Sequence, residues 1–137
     1  LKLFQWAKDG GPESHVDAFF IVEIKPLFSI AILRFNEGTR ENFHSHAFNA
    51  WTLWLGDAWV AEETPDGKKK FWHGGTWKFT PRTLMHRVRA VFTSYALTFR
   101  GPWVERWEEY NEQAREFTVL TNHRQIVDRY SAEENCG

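Results

Sequence analysis

Short runs of β-branched and aromatic residues recur along this chain, cut by turn clusters every 8–12 residues or so. Phe19–Ile24, Phe28–Phe35, Ala58–Glu63, Leu84–Val91 and Tyr95–Arg100 are such runs. The breaks between runs include Ala7–Ser14, Asn36–Thr39, Thr64-Pro65-Asp66-Gly67, Gly74-Gly75 and Gly101-Pro102. Proline presets one backbone angle and glycine permits a positive one, so Pro65 to Gly67 reads as a turn with a physical cause. No long stripe with a 3.6-residue period competes. This spacing predicts an all-β sandwich or barrel rather than a helical or alternating α/β domain.

Local patterns sharpen that expectation. Phe28–Phe35 is apolar on both faces until Arg34, which suits a strand between two sheets. Gly56-Asp57 is a hairpin signal that ends a strand running from the histidine-rich stretch near Phe43 to Leu55, and Ala58–Glu63 returns from it. Lys68-Lys69-Lys70 reads as a solvated edge that blocks pairing with other chains. Trp103–Tyr110 and Arg115–Leu120 form a late hairpin about Asn111-Glu112-Gln113, with Trp103 and Trp107 on one strand face as an exposed patch or dimer contact. Thr121–Arg129 is expected to be a short helix or a polar tail.

At 137 residues, the chain (1–137) is expected to be a single domain with a real core. Seventeen Lys and Arg oppose eighteen Asp and Glu, which gives no broad electrostatic footprint for nucleic acid or an anionic membrane. Aromatics are 17% of residues, and most of these rings are expected in the core with a minority lining a pocket. Cys136 stands alone, so neither a disulfide framework nor a thiolate metal cluster is expected. No apolar run approaches the ~18 residues of a membrane span. A native chain would begin with Met, so residues before Leu1 are expected to be missing or processed. Without a signal-peptide pattern at Leu1–Trp6, the expected location is the cytoplasm, or the host cytoplasm if the chain is phage-encoded.

The chemistry concentrates in Phe43-His44-Ser45-His46-Ala47-Phe48-Asn49-Ala50-Trp51. Residues two apart in a strand share a face, so His44 and His46 can offer imidazoles to one ion. His86 lies far enough along to return on a neighbouring strand and supply a third ligand. Neutral imidazole suits Fe(II), Zn, Ni, Cu and, less well, Mn, and three protein ligands leave positions open for water or substrate. His15, His73 and His123 read as singly packed residues. Glu23, Glu62 and Glu63 are the carboxylates available as a base, and none stands out.

These residues resemble the cupin superfamily. Gly38, five residues, His44-x-His46 and then Gly56 look like its first motif, G-x5-H-x-H-x3,4-E-x6-G. Gly75, five residues, Pro81 and then His86 look like its second, G-x5-P-x-G-x2-H-x3-N. The two motifs cover about residues 38–90, and the strand pattern extends the resemblance over most of the chain; it implies a small jelly-roll barrel, a double-stranded β-helix, with a divalent metal inside. The motif's glutamate is missing: its place falls on Asn49, Ala50 or Trp51. Strand parity puts Ala50 on the histidine face, and leaves Asn49 behind the ligands or at the surface. Thr83 and Ala90 replace the second motif's glycine and asparagine.

A three-histidine set is similar to that of thiol dioxygenases. That resemblance implies Fe(II), a small anionic substrate, a cation for its carboxylate and a tyrosine beside the metal. Arg34 and Arg100 are candidates for the cation and Tyr95 for the tyrosine. The leading expectation is a non-haem Fe(II)-dependent (di)oxygenase. The competing readings are a metal-dependent isomerase or lyase, and a non-catalytic cupin that binds a small molecule or a partner. A second copy of the chain is a candidate partner.

Overall fold

The computed structural model describes residues 1–9, 14–39, 43–104, 106–121 and 126–131. Among them there are fourteen strands and no helix. In chain order these are β1 (Lys2–Lys8), β2 (Val16–Ile24), β3 (Phe28–Phe35), β4 (Gly38–Thr39), β5 (Phe43–His44), β6 (Ala50–Leu55) and β7 (Trp59–Glu63). Next come β8 (Lys69–His73), β9 (Trp77–Thr80), β10 (Arg87–Ala90), β11 (Ser94–Arg100), β12 (Arg106–Asn111), β13 (Glu116–Thr121) and β14 (Ile126–Ser131). No helix among the described residues is long and apolar enough to cross a membrane. Cys136, His123 and residues 10–13 of the first turn cluster lie outside the described residues.

A six-stranded sheet runs β1-β2-β3-β11-β6-β9, and a second layer is made of β10-β7-β8 and β14-β13-β12-β5. All strand pairs are antiparallel. From β3 onward the chain alternates between the six-stranded sheet and the opposing layer. The turn at Gly56-Asp57 is closed by the Ala58 amide, which donates to the Leu55 carbonyl at 3.0 Å. It does not form the expected hairpin, because β6 pairs with β11 and β9 while β7 pairs with β8 and β10. The turn instead hands the chain from one layer to the other. Gly74 is pressed onto that corner: its amide donates to the Ala58 carbonyl, and a side-chain carbon on it would overlap the Gly56 carbonyl oxygen.

The inner face of the six-stranded sheet is built in rows, because antiparallel partners lie side by side. One row is apolar: Ala18, Leu33, Ala96 and Trp54. These pack on Ala58, Val60 and Ala90 of the opposing layer and close one end of the barrel. The next row is Phe20, Ala31, Thr98, Thr52 and Lys78. The third is Lys2, Glu23, Ser29, Arg100, Ala50 and Thr80. Polarity thus rises toward the other end. Glu23 reaches this inner row because the β2–β3 register shifts between Phe20 and Val22, which reverses the parity of the rest of β2.

Three expectations are corrected here. β3 is not sandwiched between sheets; it alternates between buried Ser29, Ala31 and Leu33 and a partly exposed outer face. The tail is not a helix over its described part: β14 pairs with β13, Phe117 stacks on Tyr130 at 5.0 Å, and the Tyr130 hydroxyl donates to Glu108. Fewer rings are core than expected. Trp6, Trp51, Trp59 and Trp77, half of the eight tryptophans, are exposed. Lys69 and Lys70 do lie exposed on the edge strand β8.

The corner predicts a contrast between two glycines. Gly74→Ala is expected to destabilise by about 3 kcal/mol, because backbone must move to admit a methyl group. Gly56→Ala, with open space but a φ of 57°, is expected to cost only about 1 kcal/mol. Urea unfolding of both variants measures the difference, and equal losses would contradict the crossing geometry.

Candidate metal centre

The backbone brings the histidines together before any side chain acts. The His44 amide donates to the His86 carbonyl at 2.8 Å, and the His86 amide returns the bond to His44 at 2.9 Å. Two residues paired this way project side chains to the same side. On its other edge β5 pairs with β12, with His44 opposite Glu109. The strand expected from Phe43 to Leu55 is in fact two. The chain leaves β5 after His44, crosses irregularly, and enters the six-stranded sheet at Ala50. His46 lies in that crossing and stacks on Phe48 at 5.1 Å.

One ligand atom from each of His44, His46 and His86 lies within 4.8 Å of the others. The His46 and His86 Nε2 atoms are 3.0 Å apart. Two nitrogens bound to one ion at ~2.1 Å have about that spacing, roughly 3.0–3.4 Å for angles of about 90–110°. The donor set therefore fits a divalent ion.

A carboxylate that the sequence did not single out completes the arrangement. Glu62 faces inward from β7, two residues beyond Val60, and its Oε2 lies 2.5 Å from His86 Nδ1. The same oxygen is bonded by the buried Lys78 ammonium, and Trp72 Nε1 donates to Oε1 at 3.4 Å. Burial alone would raise this carboxyl, but the hydrogen bond with His86 and the charge of Lys78 outweigh it and hold Glu62 at about 2. Burial pushes Lys78 down, against the pull of Glu62. With Glu62 ionised, His86 donates through Nδ1, and as a neutral imidazole it then offers its lone pair at Nε2, 3.0 Å from His46 Nε2. Strand parity was the available signal: Ala58, Val60 and Glu62 share a face.

The cavity at this end has a volume of about 250 Å³. Ala50 lines it, in the place where the carboxylate ligand of the motif was missing. Asn49 is exposed and accepts the Arg82 amide on Oδ1 at 2.8 Å. Trp103 and Trp107 form no exposed patch. Trp103 sits in the segment after β11, and both are half-buried against Ala47, Phe48 and Ala50. His15 borders the cavity near Gly38, and His73 packs on Trp59 at 5.6 Å.

The other candidates separate. Arg100 is 4% exposed and lines the cavity. Its Nη1 and Nη2 donate to the two Asp9 carboxylate oxygens at 3.0 and 2.7 Å. Arg34 and Tyr95 are not brought to the site. They are cross-strand partners on the outer face of the sheet, because parity along β3 and β11 turns Leu33 and Ala96 inward instead. Arg34 donates to Asp17 at 2.9 Å and lies over the Trp6 ring. Hydrogen bonds from Lys8, Asn36 and Arg34 hold Asp17 well below the usual carboxylate range. Of the other carboxylates, Glu63 pairs with Arg87 at 3.0 Å, and Glu23 pairs with Lys2 at 2.8 Å on the cavity wall.

No family model and no curated protein sequence matches this chain. Solved structures do. A cupin domain protein from Bordetella pertussis superposes with a TM-score of 0.52 at 14% identity, over 67% of this chain and 98% of its own. A sugar phosphate isomerase of a cupin superfamily from Silicibacter pomeroyi gives 0.62 at 9%, over 97% and 94%. The polyketide cyclase RemF from Streptomyces resistomycificus gives 0.54 at 16%, over 64% and 65%. At such identities the likeness is one of fold: the chain has the cupin jelly roll. Within that fold it carries a three-histidine group able to hold a divalent metal, with alanine where the motif has glutamate.

Substitutions at the centre should separate ligand from support. His86→Ala should abolish metal retention, and Glu62→Gln should weaken it about 10–100-fold, as read by metal analysis after dialysis against a graded chelator. An unchanged Glu62→Gln affinity would remove Glu62 from the site. Away from the centre, Asp17 is depressed in the folded state, so its stabilisation is fully present above the unfolded carboxyl value of about 3.9 and fades as pH falls below it. Asp17→Asn should therefore differ from the parent in urea unfolding by a constant amount above about pH 5 and by progressively less below about pH 4.

Proposed function

We propose that the protein is a metal-dependent enzyme, a non-haem Fe(II) (di)oxygenase acting on a small anionic molecule. One observation carries this reading. Among the described residues lining the cavity, the carboxylates are Asp9 and Glu23, and each is already engaged by a cation. A reaction that needs a protein carboxylate as proton acceptor has none to spare. One in which the ion itself gathers the reactants needs none. Bound Fe(II) would supply a Lewis-acidic, redox-active centre with open positions for O2 and substrate.

The chain's own residues have defined tasks in this reading. His44, His46 and His86 hold the ion through neutral nitrogens, so no ligand lowers its charge and an anionic substrate is favoured. Glu62 fixes the His86 tautomer. The methyl group of Ala50 leaves room that a glutamate side chain would fill. Phe48, Trp103 and Trp107 give the cavity an apolar wall. Zinc, nickel and manganese suit the same donors.

An isomerase or lyase is the second reading, supported by the likeness in fold to a chain described as a sugar phosphate isomerase. It would require Glu23 to leave Lys2 and act as base.

The discriminating measurement is O2 uptake after anaerobic loading with iron, against a panel of small thiols and hydroxy acids. Uptake is expected with iron and absent with zinc. Turnover that proceeds without O2 and survives zinc substitution would overturn the oxygenase reading in favour of the isomerase.

A further inference from the structure

The outer face of the six-stranded sheet runs against the usual pattern. An antiparallel sheet with one side in water commonly alternates apolar residues inward with polar ones outward. Here the outward residues are apolar as well. One cross-strand row is Ile30, Phe99, Trp51 and Phe79, and the next is Ile32, Leu97, Leu53 and Trp77. Beyond them come Arg34, Tyr95 and Leu55. Among the described residues, Arg34 is the one charged group facing outward from β3, β11, β6 and β9, and Asp17 answers it. The opposing layer differs: the outer sides of β7 and β10 carry Glu63, Arg87 and Arg89. The apolar surface is thus confined to one sheet.

Its size is that of an interface. Six rings on these strands, Phe28, Trp51, Trp77, Phe79, Tyr95 and Phe99, are between 40% and 53% exposed. At roughly 200–250 Å² per ring they leave on the order of 600 Å² in water, at the upper end for the largest patch of a monomer. The half-buried Ile30, Ile32, Leu53 and Leu97 between them bring the face near the ~800 Å² that each partner of a stable complex covers. Trp51 packs on Phe79 at 5.0 Å and Trp77 stacks on Phe99 at 6.3 Å, so the rings brace one another.

We propose that this face is a homodimer interface, with β3, β11, β6 and β9 of two copies packed face to face about a two-fold axis. A two-fold contact sets one patch against itself, so any unpaired charge on it would meet its like. This patch has none. Its relief is self-complementary too. The exposed rings of Phe99, Trp51 and Phe79 form a ridge, and the half-buried Ile32, Leu97 and Leu53 form a trough beside it. The ridge of one copy fits the trough of the other at the usual spacing of packed sheets. Rich in aromatics and poor in charge, the face has the composition of an interface core. An anionic membrane would call for free basic residues, and a sugar for polar side chains among the rings; the two ring-bearing rows offer neither. The reverse side of the same strands, with Thr52, Thr98 and Lys78, lines the cavity, so each copy keeps its own centre. The contact also backs β9, the edge strand that carries Lys78.

Sedimentation equilibrium of the full chain from about 1 to 100 µM tests this. The parent is expected at twice its 16.2 kDa chain mass. Trp51→Glu and Phe79→Glu each place a charge at the centre of the face and should raise the dimer dissociation constant at least about a hundredfold. Both side chains are exposed, so the fold should survive, as read by circular dichroism; either variant alone decides the matter if the other fails to fold. Trp59→Glu is the control: it charges an equally exposed tryptophan on the opposing layer and should leave the dimer intact. A parent chain that sediments as a monomer throughout, including one that instead binds phosphatidylcholine vesicles or maltohexaose, would overturn the interface. So would a dimer that survives both substitutions, or one that Trp59→Glu breaks equally.

Discussion

The centre depends on one buried carboxylate. Glu62 takes hydrogen bonds from His86, Lys78 and Trp72, which come from the segment before β10 and from β9 and β8. A carboxylate and an ammonium buried apart would each be costly to desolvate, and together they are tolerable only because their bonds are made. The trio therefore locks two layers of the barrel to each other at one height. It also settles a chemical question at the histidines. An ionised Glu62 can only accept, so His86 donates through Nδ1, and in the neutral imidazole that binds a metal the lone pair is then on Nε2.

Around this point the usual rule of burial is inverted. In β9, Trp77 and Phe79 are exposed while Lys78 and Thr80 are buried; in β11, Tyr95 and Phe99 are exposed while Arg100 is buried. Aromatics on the outer face shield the sheet while polar groups line the inside. The apolar row at Trp54 and Ala96 closes the far end and supplies the stabilising burial. Polar residues can then be carried at the open end, provided each is paired. The threonines of the middle row, Thr52 and Thr98, grade one end into the other.

Much of this was legible in the sequence. Turn residues and strand length gave the all-β class, and motif spacing located His44, His46 and His86. Ala50 does face inward, but from its place in β6 and not by parity from His46, since the strand is broken between His44 and Ala50. Two of the misses share one cause. Lys78 and Glu62 face inward on strands whose aromatics face outward, and a reading that sends rings to the core sends charges to the surface. Arg34 and Tyr95 stand outside because each neighbours an inward apolar residue, Leu33 and Ala96, in strict alternation. Glu23 could not have been placed by counting at all, since a register shift within β2 decides its face. The exchange of layers at Gly56 was hidden too, because a tight turn looks the same whether its strands pair or part.

The pairing of charges bears on how a substrate would be selected. Glu62 is answered by Lys78, Asp9 by Arg100 and Glu23 by Lys2. Each pair is close to neutral seen from a few ångströms away, and the histidines are neutral ligands. A divalent ion held there would be the largest uncompensated charge in a cavity with low-dielectric walls. Attraction for an anion would then come chiefly from the ion, and the walls would contribute direction. A glutamate at position 50 would undo both effects, since it would cancel part of the ion's charge and fill the space beside Arg100. The alanine there is thus more than a lost ligand. It leaves the charge of the ion uncancelled and keeps space open on the wall beside the histidines.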